Sequence, residues 1–460
     1  MITGIYFKTV FTPQGWEYDV SADIAADGTF SSLTQDNNPH DYPVVHFPVV
    51  PGIENIHSHA FQHAMAGLTE VQKNPVDNFW SWREMMYYFV NRISPEDMAA
   101  IASKLYLDFL KGGYTGVVEF HYVHNDPAGR RYDAPEELSL AILEAANATG
   151  IQLTHLPVYY AYSDFGGRPP NDGQRRFITS IDDYAHLVEA LAGPCDKAGH
   201  VLGVAPHSLR AAAEDDLARL LDIRDQFAPL GPIHIHVAEQ TKEVEDSIAF
   251  SGRRPVERLA DLVNLDPRWC LVHATHMTDD EAAMVARSGA TVGLCPLTEA
   301  NLGDGFFNAP AYFDHGGHVG IGSDSNVSTN VWAELQMLEY SQRLVRRQRN
   351  VLVSEKFPNV GNALHTLAGI GGARAAARKS GQIAPGYLAN FVELSKETSA
   401  EMDRLPRNAI LDHWVFATER RTVGDVYIAG RKVLDCGHHR DEERIVANFH
   451  AAIGRLSLDL

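Results

Sequence analysis

Eight short apolar segments, alternating with stretches of helical pattern, constrain the fold of this chain more than any other feature of its sequence. Each segment has the length of a strand that is buried on both faces, which is typical of a parallel sheet. Helical stretches follow most of them, and eight such units predict a closed (β/α)8 barrel of the TIM type, an α/β fold. The segments are residues 53–56, 116–120, 152–160, 201–205, 233–237, 269–274, 290–295 and 318–322.

The helical stretches carry their own start and stop signals. Ser94 precedes Pro95 at the first turn, and apolar residues then recur at helical spacing until Gly112 and Gly113. Such a serine cap and early proline predict a helix that begins at this point. Further helices are predicted over 180–191, 213–226, 255–263 and 279–287.

The two ends of the chain have a different residue pattern. Residues 1–50 and 381–460 contain short apolar segments that are broken by Gly, Pro, Asp and Asn, a pattern that favours strands and turns. We expect both ends to pair into one small β-sandwich domain. The predicted organisation is therefore residues 1–50 and 381–460 in the small domain, and 51–380 in a metal-dependent hydrolase barrel.

Charge limits the possible partners. The chain has 39 basic and 59 acidic side chains, which give a formal net charge of −20. This argues against nucleic acid or an anionic membrane surface as a binding partner, because both bind to positively charged protein surfaces. No long apolar segment or signal peptide is evident, and the four cysteines are scattered, so we expect a cytoplasmic protein with reduced thiols.

Residues suited to metal or proton chemistry end several of the predicted strands. They are His57, His59, His207, His236, Glu239, His273 and Asp324. One histidine near a strand end is more often a core or surface group, and one aspartate there is more often a turn or helix cap. Several together, on the rim where barrel strands end, predict imidazoles and a carboxylate around one divalent ion. Residues 201–207 contain no lysine to bridge a second metal, which favours a single ion.

This set of residues resembles the amidohydrolase superfamily, over nearly the whole chain. The resemblance implies that His57, His59, His236 and Asp324 are metal ligands. It also implies that Glu239 carries protons, that His273 polarises the substrate, and that Asp324 assists proton transfer. The expected metal is zinc, although imidazole and carboxylate ligands also accept iron, nickel or manganese. A homodimer is a further expectation from the resemblance.

Longer blocks of sequence, at 51–70, 119–124, 293–305 and 322–325, are similar to the formimidoylglutamate deiminase family within that superfamily. The resemblance implies hydrolysis of a linear amidine C–N bond in a small dicarboxylate substrate, in histidine degradation. An acidic protein must hold such a substrate with cations, and arginine suits carboxylates. The implied substrate-binding residues are Gln62, Arg83, Tyr122, His207 and Arg210.

Two other functions compete with this interpretation. The first is an aminohydrolase of the same superfamily that acts on a nucleobase or another heterocycle, which would not need two arginines at the rim. The second is a catalytically silent scaffold, which predicts missing metal ligands and no bound ion, whereas none of the expected ligands is missing from this sequence. The spacing of the arginines does not decide between glutamate and aspartate derivatives, or which carboxylate each arginine would hold.

Overall fold

The structure, a computed structural model, describes residues 2–70, 79–402, 404–419 and 422–458. Its strands are β1 (Gly4–Thr12), β2 (Gly15–Ile24), β3 (Phe30–Gln35), β4 (Val44–Val45), β5 (Val49–Pro51), β6 (Ile53–Ser58), β7 (Tyr114–His121), β8 (Gln152–Tyr159), β9 (Val201–Leu202), β10 (Ala205–Pro206), β11 (Ile233–Val237), β12 (Trp269–His273), β13 (Thr291–Leu294), β14 (His318–Ile321), β15 (Phe391–Leu394), β16 (Val423–Ile428) and β17 (Arg431–Leu434). Its α-helices are α1 (Phe79–Val90), α2 (Pro95–Lys111), α3 (Glu137–Thr149), α4 (Ile181–Ala198), α5 (Glu214–Phe227), α6 (Thr241–Ser251), α7 (Pro255–Leu262), α8 (Asp279–Ser288), α9 (Pro296–Leu302), α10 (Ala309–Asp314), α11 (Val331–Arg346), α12 (Val360–Ala375), α13 (Lys396–Ala400), α14 (Ile410–Phe416) and α15 (Glu442–Leu456).

The eight predicted apolar segments form a parallel barrel. Strands β6, β7, β8 and the divided fourth strand, β9 and β10, make one half, and β11 to β14 make the other. Parallel bridges from Val204 to Ile233 and from Ser58 to Asp324 join the halves on both sides. The predicted (β/α)8 barrel is therefore confirmed.

Helices cover the outside of the barrel where the sequence predicts them. Helix α2 begins at the predicted cap, where Ser94 and Asp97 form a reciprocal capping box, and it ends at Gly112. Helices α4, α5, α7 and α8 match the other four predicted stretches to within a few residues, except that α4 continues to Ala198. None of the described helices is long and apolar enough to cross a membrane.

Strands from both ends of the chain share one sheet, in the order β17-β16-β15-β5-β1-β2-β3, with β4 beside β1. The junction between the two ends is the antiparallel pairing of β15 with β5. Its buried side chains, among them Phe7, Phe30 and Phe391, form a hydrophobic cluster separate from the main core. This sheet is consistent with the predicted small β-sandwich domain, and the boundaries at 50/51 and 380/381 remain our proposal.

Helix α15 follows the last strand and lies against the barrel helix α2. Lys111 at the end of α2 pairs with Glu442, and Arg455 pairs with Asp97 at the start of α2. The two ion pairs lie at opposite ends of α2, so the two helices run side by side in opposite directions. The end of the chain thus packs on the barrel after leaving the small sheet.

A buried polar network closes the barrel between β6 and the end of β14. The Asn55 side chain donates to Ser323 Oγ at 2.6 Å and accepts from the backbone N–H groups of Ser323 at 3.1 Å and His57 at 3.3 Å. Gly322 permits this contact, because a Cβ there would lie 2.8 Å from the backbone nitrogen of His57. The network therefore fixes the strand end that carries His57 against the one that carries Asp324.

We expect Asn55→Ala to lower the free energy of unfolding by about 3 kcal/mol, because it leaves buried partners of Asn55 without hydrogen bonds. Urea unfolding followed by tryptophan fluorescence would measure the change. The exposed Asn37→Ala variant is the matched control, with an expected change of less than about 0.5 kcal/mol. Equal stability of the two variants would show that this polar network does not stabilise the closure of the barrel.

Candidate functional site

The three predicted imidazole ligands meet at the carboxyl end of the barrel. His57 Nε2 lies 3.1 Å from His59 Nε2 and 3.0 Å from His236 Nε2. Asp324 follows β14 and brings Oδ1 to 3.3 Å from His59 Nε2 and 3.7 Å from His57 Nε2. The three imidazole nitrogens therefore face one point, and the Asp324 carboxylate lies beside two of them.

Hydrogen bonds at Nδ1 fix the orientation of two of these imidazoles, those of His59 and His236. His59 Nδ1 donates to the Phe120 carbonyl at 2.9 Å, and His236 Nδ1 donates to the His207 carbonyl at 3.0 Å. Each ring therefore turns an unprotonated Nε2 toward the common point, as metal-ligating histidines do. Burial lowers the pKa of His59 to about 3 and that of His236 well below its usual value, so both are neutral at pH 7. This donor set fits a divalent metal ion.

Asp324 is held in an uncommon backbone conformation. Its φ is +47°, in the left-handed region that residues other than glycine rarely adopt, and His273 at the end of β12 has a φ of +67°. Such strain persists where the surrounding structure enforces it, often at active sites. Burial raises the pKa of Asp324 to about 7.

His273 lies among three carboxylates, beside the imidazoles of His57 and His236. Its Nε2 lies 3.9 Å from Glu239 Oε1 and 3.7 Å from Asp324 Oδ2, and its Nδ1 lies 3.3 Å from Glu299 Oε1. Burial alone would lower the pKa of His273, but Glu239, Glu299 and Asp324 together raise it to about 10. At neutral pH this imidazole is therefore a cation that can donate a proton or a hydrogen bond.

A cavity opens directly above these groups. Of the predicted substrate-binding residues, all five line it, namely Gln62, Arg83, Tyr122, His207 and Arg210. Gln62 Nε2 donates to the Tyr122 hydroxyl at 2.8 Å, and the Arg83 guanidinium donates to the Tyr87 hydroxyl. The structure thus brings together every predicted site residue, although His57 lies beneath the cavity and not on its wall. The roles of these residues stay predictions.

Arg83 and Arg210 are the cations of arginine or lysine type among the described residues of the cavity wall. Both also line a more open outer depression, so they stand where the outer depression meets the inner cavity. Arg210 Nη2 lies 4.0 Å from Glu239 Oε2, and the Arg210 side chain is only 14% exposed. A buried guanidinium at this junction suits an anionic group of a ligand.

Several residues of the site were not predicted from the sequence. The cavity wall also contains Trp82, Met86, Tyr87, Tyr160, Phe177, Leu302 and Ser325. Glu243 and Glu299 also contact residues of the site, although neither lines the cavity. Each carboxylate accepts a hydrogen bond from the backbone N–H of the residue four positions earlier, which is Glu239 for Glu243 and Cys295 for Glu299. A glutamate at this spacing after a strand is a sequence pattern that could have indicated a carboxylate bonded to the backbone at the strand end. The aromatic residues give no such signal.

Comparisons with known proteins agree with this geometry. The profile of the amidohydrolase family matches residues 49–433. A formimidoylglutamate deiminase from Pseudomonas aeruginosa is 47% identical over 459 residues, which cover 99% of this chain and 100% of the relative.

Solved structures of similar fold point the same way. The crystal structure of an amidohydrolase from Brucella melitensis superposes with a TM-score of 0.93 at 44% identity, over 99% of this chain and 100% of that one. An adenosine deaminase from Xanthomonas campestris, with bound zinc, gives a TM-score of 0.81 at 22% identity, over 98% of both chains. At that identity the second likeness shows the fold alone.

We expect His236→Ala to lose bound divalent metal, because it removes one of three converging imidazoles. Metal content after dialysis, measured by plasma mass spectrometry, should fall more than about tenfold relative to the unaltered protein. The exposed His186→Ala variant, on α4, should retain its metal. Full metal content in His236→Ala would remove His236 from the ligand set.

Proposed function

Because the chain belongs to the amidohydrolase family, we propose that it hydrolyses N-formimidoyl-L-glutamate to N-formyl-L-glutamate and ammonia, in histidine degradation. The observation that carries the proposal is full-length similarity to the Pseudomonas deiminase together with two arginines beside a histidine-rich, metal-type site. The enzyme is then a metal-dependent hydrolase of a linear amidine C–N bond.

His57, His59, His236 and Asp324 would hold one divalent ion, and we propose zinc. When bound, such an ion supplies Lewis acidity and lowers the pKa of a coordinated water toward neutrality. The protein contributes neutral imidazoles that are already turned inward, so little reorganisation accompanies binding. A homodimer and a cytoplasmic location complete the proposal, and both rest on the resemblance to the family.

Glu239 would carry the protons. Its carboxylate is 7% exposed at the edge of the cavity, and Oε1 faces His273 while Oε2 faces Arg210. We assign to Glu239 the removal of a proton from the attacking water as its oxygen bonds to the formimidoyl carbon. The formimidoyl group is an amidinium cation at neutral pH, so its terminal nitrogen already carries two protons. The same carboxylate then returns the proton of the water to this nitrogen, which leaves as ammonia when the C–N bond breaks.

His273 and Asp324 would assist the reaction. The cationic His273 can donate a hydrogen bond to the tetrahedral centre as it forms, and three carboxylates hold that cation in place. Asp324 Oδ2 lies beside His273 Nε2, where it can accept the second proton of the water. The departing group could in principle be ammonia or the amino acid nitrogen, and the name of the Pseudomonas relative supports ammonia.

The two carboxylates of the substrate would bind Arg83 and Arg210, with Gln62, Tyr122 and His207 as polar neighbours. This local pair of cations offsets the repulsion that a protein of net charge −20 exerts on a dianion. The two arginines also favour this substrate over a neutral heterocycle, which has no carboxylates to occupy them.

The decisive experiment is to measure ammonia release from N-formimidoyl-L-glutamate beside its aspartate homologue, and to identify the second product by NMR. The proposal expects ammonia and N-formyl-L-glutamate, with the glutamate derivative preferred. Formamide and glutamate as products would reverse the assigned leaving group. Turnover of adenosine or cytosine instead would favour the heterocycle aminohydrolase, and absence of bound metal would favour the scaffold.

Glu239→Gln should lower kcat by about 10³-fold, because the amide cannot accept and return a proton. Metal content should be unchanged, since Glu239 is not among the proposed ligands. Steady-state kinetics and metal analysis on the same preparation would check both statements. Activity near that of the unaltered enzyme would exclude Glu239 as the proton carrier.

Arg83→Ala should raise KM by about 10–100-fold with little change in kcat, because it removes charge-assisted hydrogen bonds to a carboxylate. Arg92→Ala is the matched control, since Arg92 is exposed just beyond the same helix. Steady-state kinetics with N-formimidoyl-L-glutamate give both parameters. Identical KM values in the two variants would mean that Arg83 binds no carboxylate.

A further inference from the structure

Glu243, in the first turn of α6, is a buried carboxylate that the proposed reaction does not use. It is 4% exposed, and burial raises its pKa, although the neighbouring Arg210 acts in the opposite direction. Burying a carboxylate destabilises a protein unless its oxygens find donors. Both oxygens of Glu243 find them on the segment that carries Glu239.

The two hydrogen bonds fall on consecutive peptide groups. The Ala238 N–H donates to Glu243 Oε1 at 3.1 Å, and the Glu239 N–H donates to Glu243 Oε2 at 3.1 Å. Ala238 has a φ of +53°, in the left-handed region that an alanine rarely adopts. This turn points the Glu239 side chain into the cavity, and Glu243 is the side chain that holds both of its amides.

Neighbouring loops hold the same turn from the other side. The Ala238 carbonyl accepts from the His276 N–H at 3.1 Å, and Gln240 Nε2 donates to Asp304 Oδ1. His276 Nε2 in turn contacts the Asp304 carbonyl at 2.9 Å. These contacts tie the turn to the loop after β12 and to the loop after α9. Among the described side chains, Glu243 is the one that accepts from the amide of Glu239 itself.

Glu243 also acts on the neighbouring cation. Burial lowers the pKa of Arg210, but Glu243 and then Glu239 more than offset this, so the pKa of Arg210 is raised. Glu243 is therefore a neighbour of both groups: it accepts the amide of the proposed proton carrier, and it lines the outer depression together with Arg210. Its charge partly neutralises the guanidinium that would attract the substrate.

We propose that Glu243 is a positioning residue: it orients Glu239 for proton transfer by holding the amides of Ala238 and Glu239, and it moderates the charge of Arg210. This inference rests on the proposed function. It differs from a simple helix cap for α6, which would affect stability without a specific effect on turnover.

The test is Glu243→Gln, whose amide oxygen can accept one of the two N–H groups while its NH2 group opposes the other. We expect kcat to fall about 100-fold, the loss typical of a catalytic group displaced by about 1 Å. KM should stay equal or decrease, because a negative charge beside Arg210 is removed. Metal content should not change. The exposed Glu245→Gln variant on the same helix is the matched control.

Glu243→Asp keeps both carboxylate oxygens and should recover part of the lost kcat, and it also serves if Glu243→Gln fails to fold. A fall in kcat matched by a rise in KM and no recovery with aspartate would indicate a merely structural role and overturn the inference. Unchanged kcat in Glu243→Gln would overturn it as well.

Amide hydrogen exchange gives a measurement that does not depend on the substrate. In Glu243→Gln, the amides of Ala238 and Glu239 should exchange at least about tenfold faster, while other amides of α6 keep their rates. If the unaltered protein does not act on N-formimidoyl-L-glutamate, the proposed function fails, and exchange alone decides whether Glu243 holds this turn. Unchanged exchange at both amides would refute the positioning role in either case.

Discussion

Closure of the barrel between its first and last strands is the constraint on which the site depends. His57 and His59 end β6, Asp324 follows β14, and the Asn55 side chain joins the two strand ends through Ser323. Because Gly322 has no side chain, the backbones approach closely enough for Asp324 Oδ1 to reach His59 Nε2. A slightly wider gap between these strand ends would separate the Asp324 carboxylate from the imidazoles of His57 and His59.

Burial gives these groups their chemical character. In water, the histidines would be partly protonated near pH 6.5 and the carboxylates fully ionised. In this cluster, burial lowers the pKa of His59 to about 3 and raises that of Asp324 to about 7, while surrounding carboxylates raise that of His273 to about 10. One buried cluster thus contains neutral imidazoles suited to bind a cation and a charged imidazole suited to donate a proton. Different neighbours, and not different residue types, separate the two roles.

Charge is distributed unevenly between the whole molecule and the site. The chain carries a formal net charge of −20, yet two arginines stand where the outer depression meets the inner cavity. Glu239 lies 4.0 Å from Arg210, and Glu243 lines the outer depression together with Arg210. The proposed proton carrier, the residue that would orient it and a cation that would bind the substrate are therefore neighbours. Substrate binding and proton transfer would therefore share one small electrostatic network.

The sequence by itself determined the barrel, the small sheet formed by both chain ends, and the identity of the groups at the strand ends. Strand-length apolar runs, helix caps and histidines just beyond those runs are local patterns, and local patterns can be read without a structure. Only the tertiary structure decided the distances between His57, His236 and Asp324, the lone-pair direction of each imidazole, and the aromatic wall of the cavity. It also revealed the hydrogen bonds of Glu243 and Glu299, whose partners are backbone amides and a ring nitrogen. These features arise from contacts between residues far apart in the chain, and such contacts exist only once the barrel has closed.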